Sequence, residues 1–291
     1  MFSGRHRSRL ACALVLASAL FCMGCQEEVT AVLGTDRAYS VYGFFDARAD
    51  TQAMRIYAIE QRLDLIRPEP LDAGVASMDR TSGLLHVWRD SVKQFVGGRY
   101  GHVFWSPFRA DYGHSYILEI TRSDGVTSRA EVTVPPLAEP VLLDPTVAEG
   151  YVLLPVHWSE APRVNDIRVW YYTNKGNYLI EYPLDQEQEG RGTVVAITMS
   201  TDARQVFARV VRGGQRAADV RLKAMELFVL VSNADWVPPE GHYDPETLVE
   251  PGTFSNVENG YGFVGAGYEA SFYYEPPDST VLAAGFFVDG R

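Results

Sequence analysis

The sequence predicts an all-β protein built as two β-sandwich domains, immunoglobulin- or fibronectin-like, behind an export leader. Three observations predict it. Short alternating apolar runs recur along the chain, bounded by Gly, Pro, Asn or Asp. Tight-turn pairs such as Asp124-Gly125 separate them. No long helical period or low-complexity tract stands out, and Pro135-Pro136 divides the pattern in two.

At the N-terminus, Arg5, Arg7 and Arg9 precede an uncharged stretch from Leu10 to Cys22. That is a basic region followed by an apolar one of secretory length, shorter than the roughly 20 residues a membrane-crossing helix needs. Gly24 followed by Cys25 resembles a bacterial lipobox, with cleavage between them and acylation of the Cys25 thiol. Cys22 stands where that motif usually has Leu, and an ordinary cleaved signal peptide is the alternative. Cysteine usage favours the lipid. Cys12 and Cys22 fall in the removed segment, so Cys25 alone is left and no internal disulfide can form. Two or three acyl chains give a stable anchor, since each buried methylene contributes about 0.8 kcal/mol.

Residues 1–24 are therefore read as a lipoprotein signal peptide and 25–38 as a tether. Gln26-Glu27-Glu28 is either a solvated part of that tether or a cell-surface signal, which it resembles in Bacteroidota lipoproteins. The formal net charge is −11, and removing three arginines with residues 1–24 takes it to −14. Such a surface is repelled by nucleic-acid phosphates and anionic head groups, which excludes nucleic acid as an expected partner. Roughly 265 remaining residues suit two domains.

The first domain is expected at 39–136. Val41, Gly43 and Phe45 alternate with Tyr42 and Phe44, a turn spans 46–51, and Ala53–Ile59 returns. Pro68, Pro70, Asp72 and Gly74 mark a loop before a strand at Leu84–Trp88. Tyr116, Leu118 and Ile120 share one face, Asp124-Gly125 turns the chain, and Ala130, Val132 and Val134 face the same way on the return. Tyr116 holds the place of the tyrosine corner of immunoglobulin-like sandwiches, a structural role. A second β-rich domain is expected at 137–237. Its strands are Val152–Trp158, Ile167–Tyr172 and Tyr178–Tyr182, with Asn174–Asn177 as a hairpin loop. Beyond an acidic loop at 185–189 come Thr193–Met199 and Val206–Val211, both read as strand. Val220–Val231 is read as strand too, with helix the alternative because 221–228 lacks breakers. Residues 238–291, bracketed by Pro238-Pro239 and Pro276-Pro277, form a Gly/aromatic segment expected to pack on the domains.

Motifs for chemistry are sparse. Gly260-Tyr261-Gly262-Phe263-Val264-Gly265 matches a dinucleotide fingerprint by letter, but no βαβ context surrounds it, so close backbone packing is the reading. His86, His102, His114, His157 and His242 make no HExxH or helical pair, and no metal site is assigned. No G-x-S-x-G elbow occurs, and carboxylates such as Asp64 and Glu69 are unconstrained by spacing. No catalytic residue and no cofactor is assigned. Among the aromatics, Phe104-Trp105-Ser106-Pro107-Phe108 is read as core before ligand surface. In Trp170-Tyr171-Tyr172, alternation sends Tyr171 to the face opposite its neighbours.

Three stretches carry a family resemblance. They are Tyr39–Gly43 with Gln52–Ile56, Tyr116–Ile120 leading to Ala130–Pro135, and Phe254–Phe263. Together with the lipobox they make the chain resemble the Bacteroidota lipoprotein family catalogued as domain of unknown function 4249. Ser255, Asn256, Asn259, Gly260 and Gly262 are the matching, structural residues of the third stretch. The resemblance implies an outer-membrane lipoprotein, tethered to lipid through acylated Cys25, with a TonB-dependent transporter as a partner. The expected function is a non-enzymatic accessory or ligand-binding component of an envelope uptake complex. The alternatives are a structural or adhesive envelope protein, and a hydrolase with a site built from separated loops. Whether the protein faces the periplasm or the cell exterior stays open.

Overall fold

The computed structural model describes residues 37–59, 69–94, 100–182, 193–217, 220–236 and 255–288. The leader, Gly24, Cys25, Gln26-Glu27-Glu28, Asp64, Pro68, the 185–189 loop, Pro238-Pro239, His242 and Phe254 lie outside these residues. The fold is all-β and of the sandwich class.

In the first lobe, β1 (Tyr39–Asp46) and β2 (Gln52–Ala58) make the expected hairpin. Buried Gln52 closes its turn, donating to the carbonyls of Asp46 and Ala49 and accepting from the Asp46 N–H. β6 (Tyr100–Ser106) and β5 (Arg89–Gln94) extend that sheet. Facing it is a five-stranded sheet in the order β16 (Val257–Glu258), β8 (Thr127–Thr133), β7 (Ser115–Thr121), β3 (Gly74–Asp79), β4 (Leu85–Val87). Phe45 of β1 lies between the sheets, stacked 5.1 Å from Tyr116 of β7 and edge-on to Trp88 at 6.0 Å. Burying one such ring contributes roughly 1.5–3 kcal/mol. The Asp124-Gly125 turn joins β7 to β8 with Gly125 at φ +89°. Tyr116 makes the corner: its Oη accepts the Asp111 N–H at 2.9 Å.

In the second lobe, β12 (Arg163–Thr173) and β13 (Gly176–Glu181) turn at Asn174-Lys175 as expected. β15 (Leu222–Ser232) is a strand, which settles the helix alternative. Opposite lies a four-stranded sheet of β10 (Thr146–Ala148), β11 (Tyr151–Trp158) and β14 (Thr193–Thr198), with β9 (Pro140–Leu142) also on β11.

Three expectations are corrected. The strand read at Val206–Val211 belongs to a helix, α1 (Met199–Arg212). Met199, Ala203, Val206 and Val210 recur at helical spacing and are buried. Two helices are described, the other being α2 (Asp278–Ala283).

Secondly, Pro135-Pro136 does not separate two independent domains. One eight-stranded sheet runs β13-β12-β15-β17-β1-β2-β6-β5 through both lobes, with β17 being Gly260–Tyr274, and Asp36–Arg291 is one compact unit. The chain between the lobes is fastened by Tyr268, whose Oη accepts the Ala138 N–H and donates to the Pro136 carbonyl.

Thirdly, the 238–291 segment, expected to pack on the domains, supplies a strand within them. Its strand β17 (Gly260–Tyr274) is central to the large sheet. Residues 260–267 pair parallel with β1, and 267–274 pair antiparallel with β15. One strand therefore serves both lobes, and their buried side chains form one connected core.

Candidate functional site

Strand alternation builds an aromatic face on the outside of the large sheet. Tyr171 is fully buried, so Trp170 and Tyr172 point the other way and are half-buried. The registers set Trp170 beside Glu226 of β15, and Glu226 beside Tyr273 of β17. Phe228 lies next to both Arg168 and Ser271 on the same face. Tyr273 is the most open of the aromatics at 55% exposure.

Polar groups interleave the rings. The Tyr172 hydroxyl donates to Glu226 at 2.7 Å, and that bond, with burial, pushes the phenol up to about 12. The Tyr273 hydroxyl donates to Glu275 at 3.1 Å. Arg168 holds Glu269 at 2.5 Å and Asp166 at 3.2 Å. The result is an outward row of aromatic side chains across three strands with acceptors and a guanidinium between them, an arrangement open to an extended ligand rather than enclosing a small molecule. Alternation around Trp170 revealed two of its aromatics. Phe228 and Tyr273 went unnoticed because their strands join the face only through long-range pairing.

Among the described residues, one cluster of metal-ligand type lies at the end of the first lobe. Asp79, Asp111 and His114 bring ligand-type atoms within 4.8 Å of one another. The Asp79 carboxylate is already filled: it accepts the N–H groups of Thr81 (2.8 Å) and Ser82 (3.3 Å) and the Ser82 hydroxyl (2.6 Å), with His114 Nδ1 at 2.8 Å. Burial pushes this group up, but those hydrogen bonds outweigh it and hold it at about 2. It clamps the turn between β3 and β4.

A second pair, Asp90 and His102 (2.8 Å), lies at the edge of the large sheet. In the second lobe, buried Asp202 of α1 accepts from the hydroxyls of Tyr171 and Tyr182. Burial, the largest influence, raises Asp202. An open cleft of about 290 Å³ is lined by Glu131, Pro135, Pro136, Pro162 and Asp235 among others, at the junction of the lobes.

Of the other described histidines, His86 lies close enough to Asp79 and Asp111 to feel both charges. His86 stacks on Phe108 at 3.7 Å, and His157 lies on β11. Glu69 is exposed. Phe104 is core, whereas Trp105 turns outward to donate to the Ser91 hydroxyl.

Ser255, Asn256, Asn259, Gly260 and Gly262 lie where the chain crosses between sheets. The Asn256 side-chain amide pairs with both the N–H and the carbonyl of Val264. Ser255 accepts the Val257 N–H. Asn259 sits at φ +51°, its carbonyl accepting from the Ser128 hydroxyl and the Ala38 N–H. Gly260 and Gly262 let β17 lie against Tyr39 and Val41. Each of the five thus makes a hydrogen bond to backbone or allows close backbone approach.

The chain matches no protein-family model and no curated protein. Among solved structures it is similar to the crystal structure of bovine butyrophilin. That similarity has 14% identity and a TM-score of 0.20, covering 82% of this chain and 99% of that one.

Proposed function

We propose that this is an exported envelope protein, held to the outer membrane through acylated Cys25, that binds an extended partner on the aromatic face and performs no chemistry on it. The observation that carries this reading is the row Trp170, Glu226 and Tyr273 across three strands, with Tyr172 and Phe228 beside it. The acids of the face are held in place by its tyrosine hydroxyls and by Arg168. The family resemblance names a TonB-dependent transporter as the accompanying partner. The structural or adhesive reading draws support from the continuous sheet, which makes the two lobes a stiff spacer. The hydrolase reading has Asp79, Asp111 and His114 as its nearest assembly, and there the Asp79 carboxylate is occupied by the turn it clamps.

Two measurements test the proposal. Fractionation of cells should find the wild type in the outer membrane and Cys25→Ala in the soluble fraction, and a membrane-bound Cys25→Ala would refute the anchor. Pull-down from cross-linked cells should recover a partner with the wild type. The Trp170→Ala/Tyr273→Ala chain should lose it by tenfold or more, since an anchoring aromatic contributes about 2 kcal/mol. Equal recovery by a folded double variant would reject the face.

A further inference from the structure

The acid excess of the chain conceals an uneven distribution of cations. Arg80, Arg109, Arg122, Arg129 and Arg168 each lie within salt-bridge distance of a carboxylate, at 2.5, 3.6, 2.6, 3.5 and 2.5 Å. Arg204, Arg209 and Arg212 on the solvent side of α1, and Arg216 just beyond it, have no such partner among the described residues. Arg204 and Arg209 are steadied by backbone carbonyls, of Ser200 and Leu179, which neutralise no charge. The one acid from 199 to 217 is Asp202, buried and turned toward two tyrosines. Arg209 and Arg212 suit the carbonyl end of the helix. That accounts for neither Arg204 nor Arg216.

Apolar side chains are exposed on α1, next to Arg212 in the chain, and at the bridge to Arg221. Val211 of α1 is 56% exposed. Phe287, 41% exposed, bridges to Arg221, and its N–H bonds the Val220 carbonyl. Guanidinium groups beside outward apolar side chains are the composition of a surface that meets lipid head groups, with charge contacting phosphate and the apolar groups entering the interface.

We propose that the solvent face of α1, with Arg216, docks on an anionic lipid surface. The negative remainder of the molecule is repelled by the same surface, so the two effects together orient the protein with α1 toward the bilayer. The formal net charge of −11 averages over this face.

The test uses residues 26–291, which contain the whole compact unit and no acylation site. Flotation with phosphatidylcholine vesicles, with and without phosphatidylglycerol, is measured at low and high salt. Binding is expected only with phosphatidylglycerol and is lost in high salt. Arg212→Gln/Arg216→Gln should weaken it by about fivefold per arginine. Arg80→Gln/Arg129→Gln, the same charge change on the first lobe, should leave it unaltered. Circular dichroism checks that each variant is folded. No binding by the wild type, equal binding to both vesicles, or equal losses in the two variants would overturn the proposal.

Discussion

A Gly262→Ala chain is expected to be severely destabilised. A Cβ at this position would stand 1.9 Å from the Val41 carbonyl oxygen and 2.9 Å from its carbon, both backbone atoms of the adjoining strand. The backbone is also at φ +100°, a region that L side chains rarely adopt. Relief would require β1 and β17 to part, and those strands lie at the centre of the large sheet. The cost should exceed about 4 kcal/mol, a large share of the 5–15 kcal/mol typical of a folded protein. Gly125→Ala makes the comparison, because Gly125 has φ +89° but nothing within 4 Å of its added carbon. It should lose only about 1 kcal/mol. Urea unfolding of both variants checks this, and a Gly262→Ala midpoint equal to that of Gly125→Ala would show that close approach is not what the glycine provides.

The second large effect concerns Asp79 and depends on pH. Its carboxyl sits at about 2 in the fold against 3.8 ordinarily, and its side chain is 2% exposed. A carboxyl held low in the folded state stabilises fully above its unfolded value. That contribution disappears as pH falls from about 4 toward about 2. Its size is about 2 kcal/mol. Asp79→Asn should therefore be less stable than the wild type near neutral pH, with the gap narrowing below about pH 3. A gap independent of pH would mean that shape, not ionisation, is what the turn requires. Asp202 acts with opposite sign. Burial raises it, so its contribution is greatest in acid and declines as pH rises above the ordinary carboxylate range.

What was legible in the sequence was local. Asp124-Gly125 and Asn174-Lys175-Gly176 carry their turns in their own chemistry, and Tyr116 bonds a group five residues away. The helix α1 was misread because Val206, Val210 and Val211 give a β-branched impression, while Ala203 and Ser200 weaken its helical face. The single sheet was not readable, since Tyr39 pairs with Gly260 across about 220 residues and such pairing leaves no local trace. The same holds for the aromatic face. Trp170 and Tyr172 announce a direction by alternation, but only the ladder to β15 and β17 supplies Phe228 and Tyr273.

The parallel ladder between β1 and β17 also sets an order of events. The first described strand waits for the last, because no other described strand lies on that side of β1. Until residue 260 is available, β1–β2–β6–β5 has an unpaired edge and β15 lacks its inner neighbour. Closing so long a loop comes late and slowly. A chain made from its N-terminus can therefore complete this sheet only after residue 274 has been synthesised.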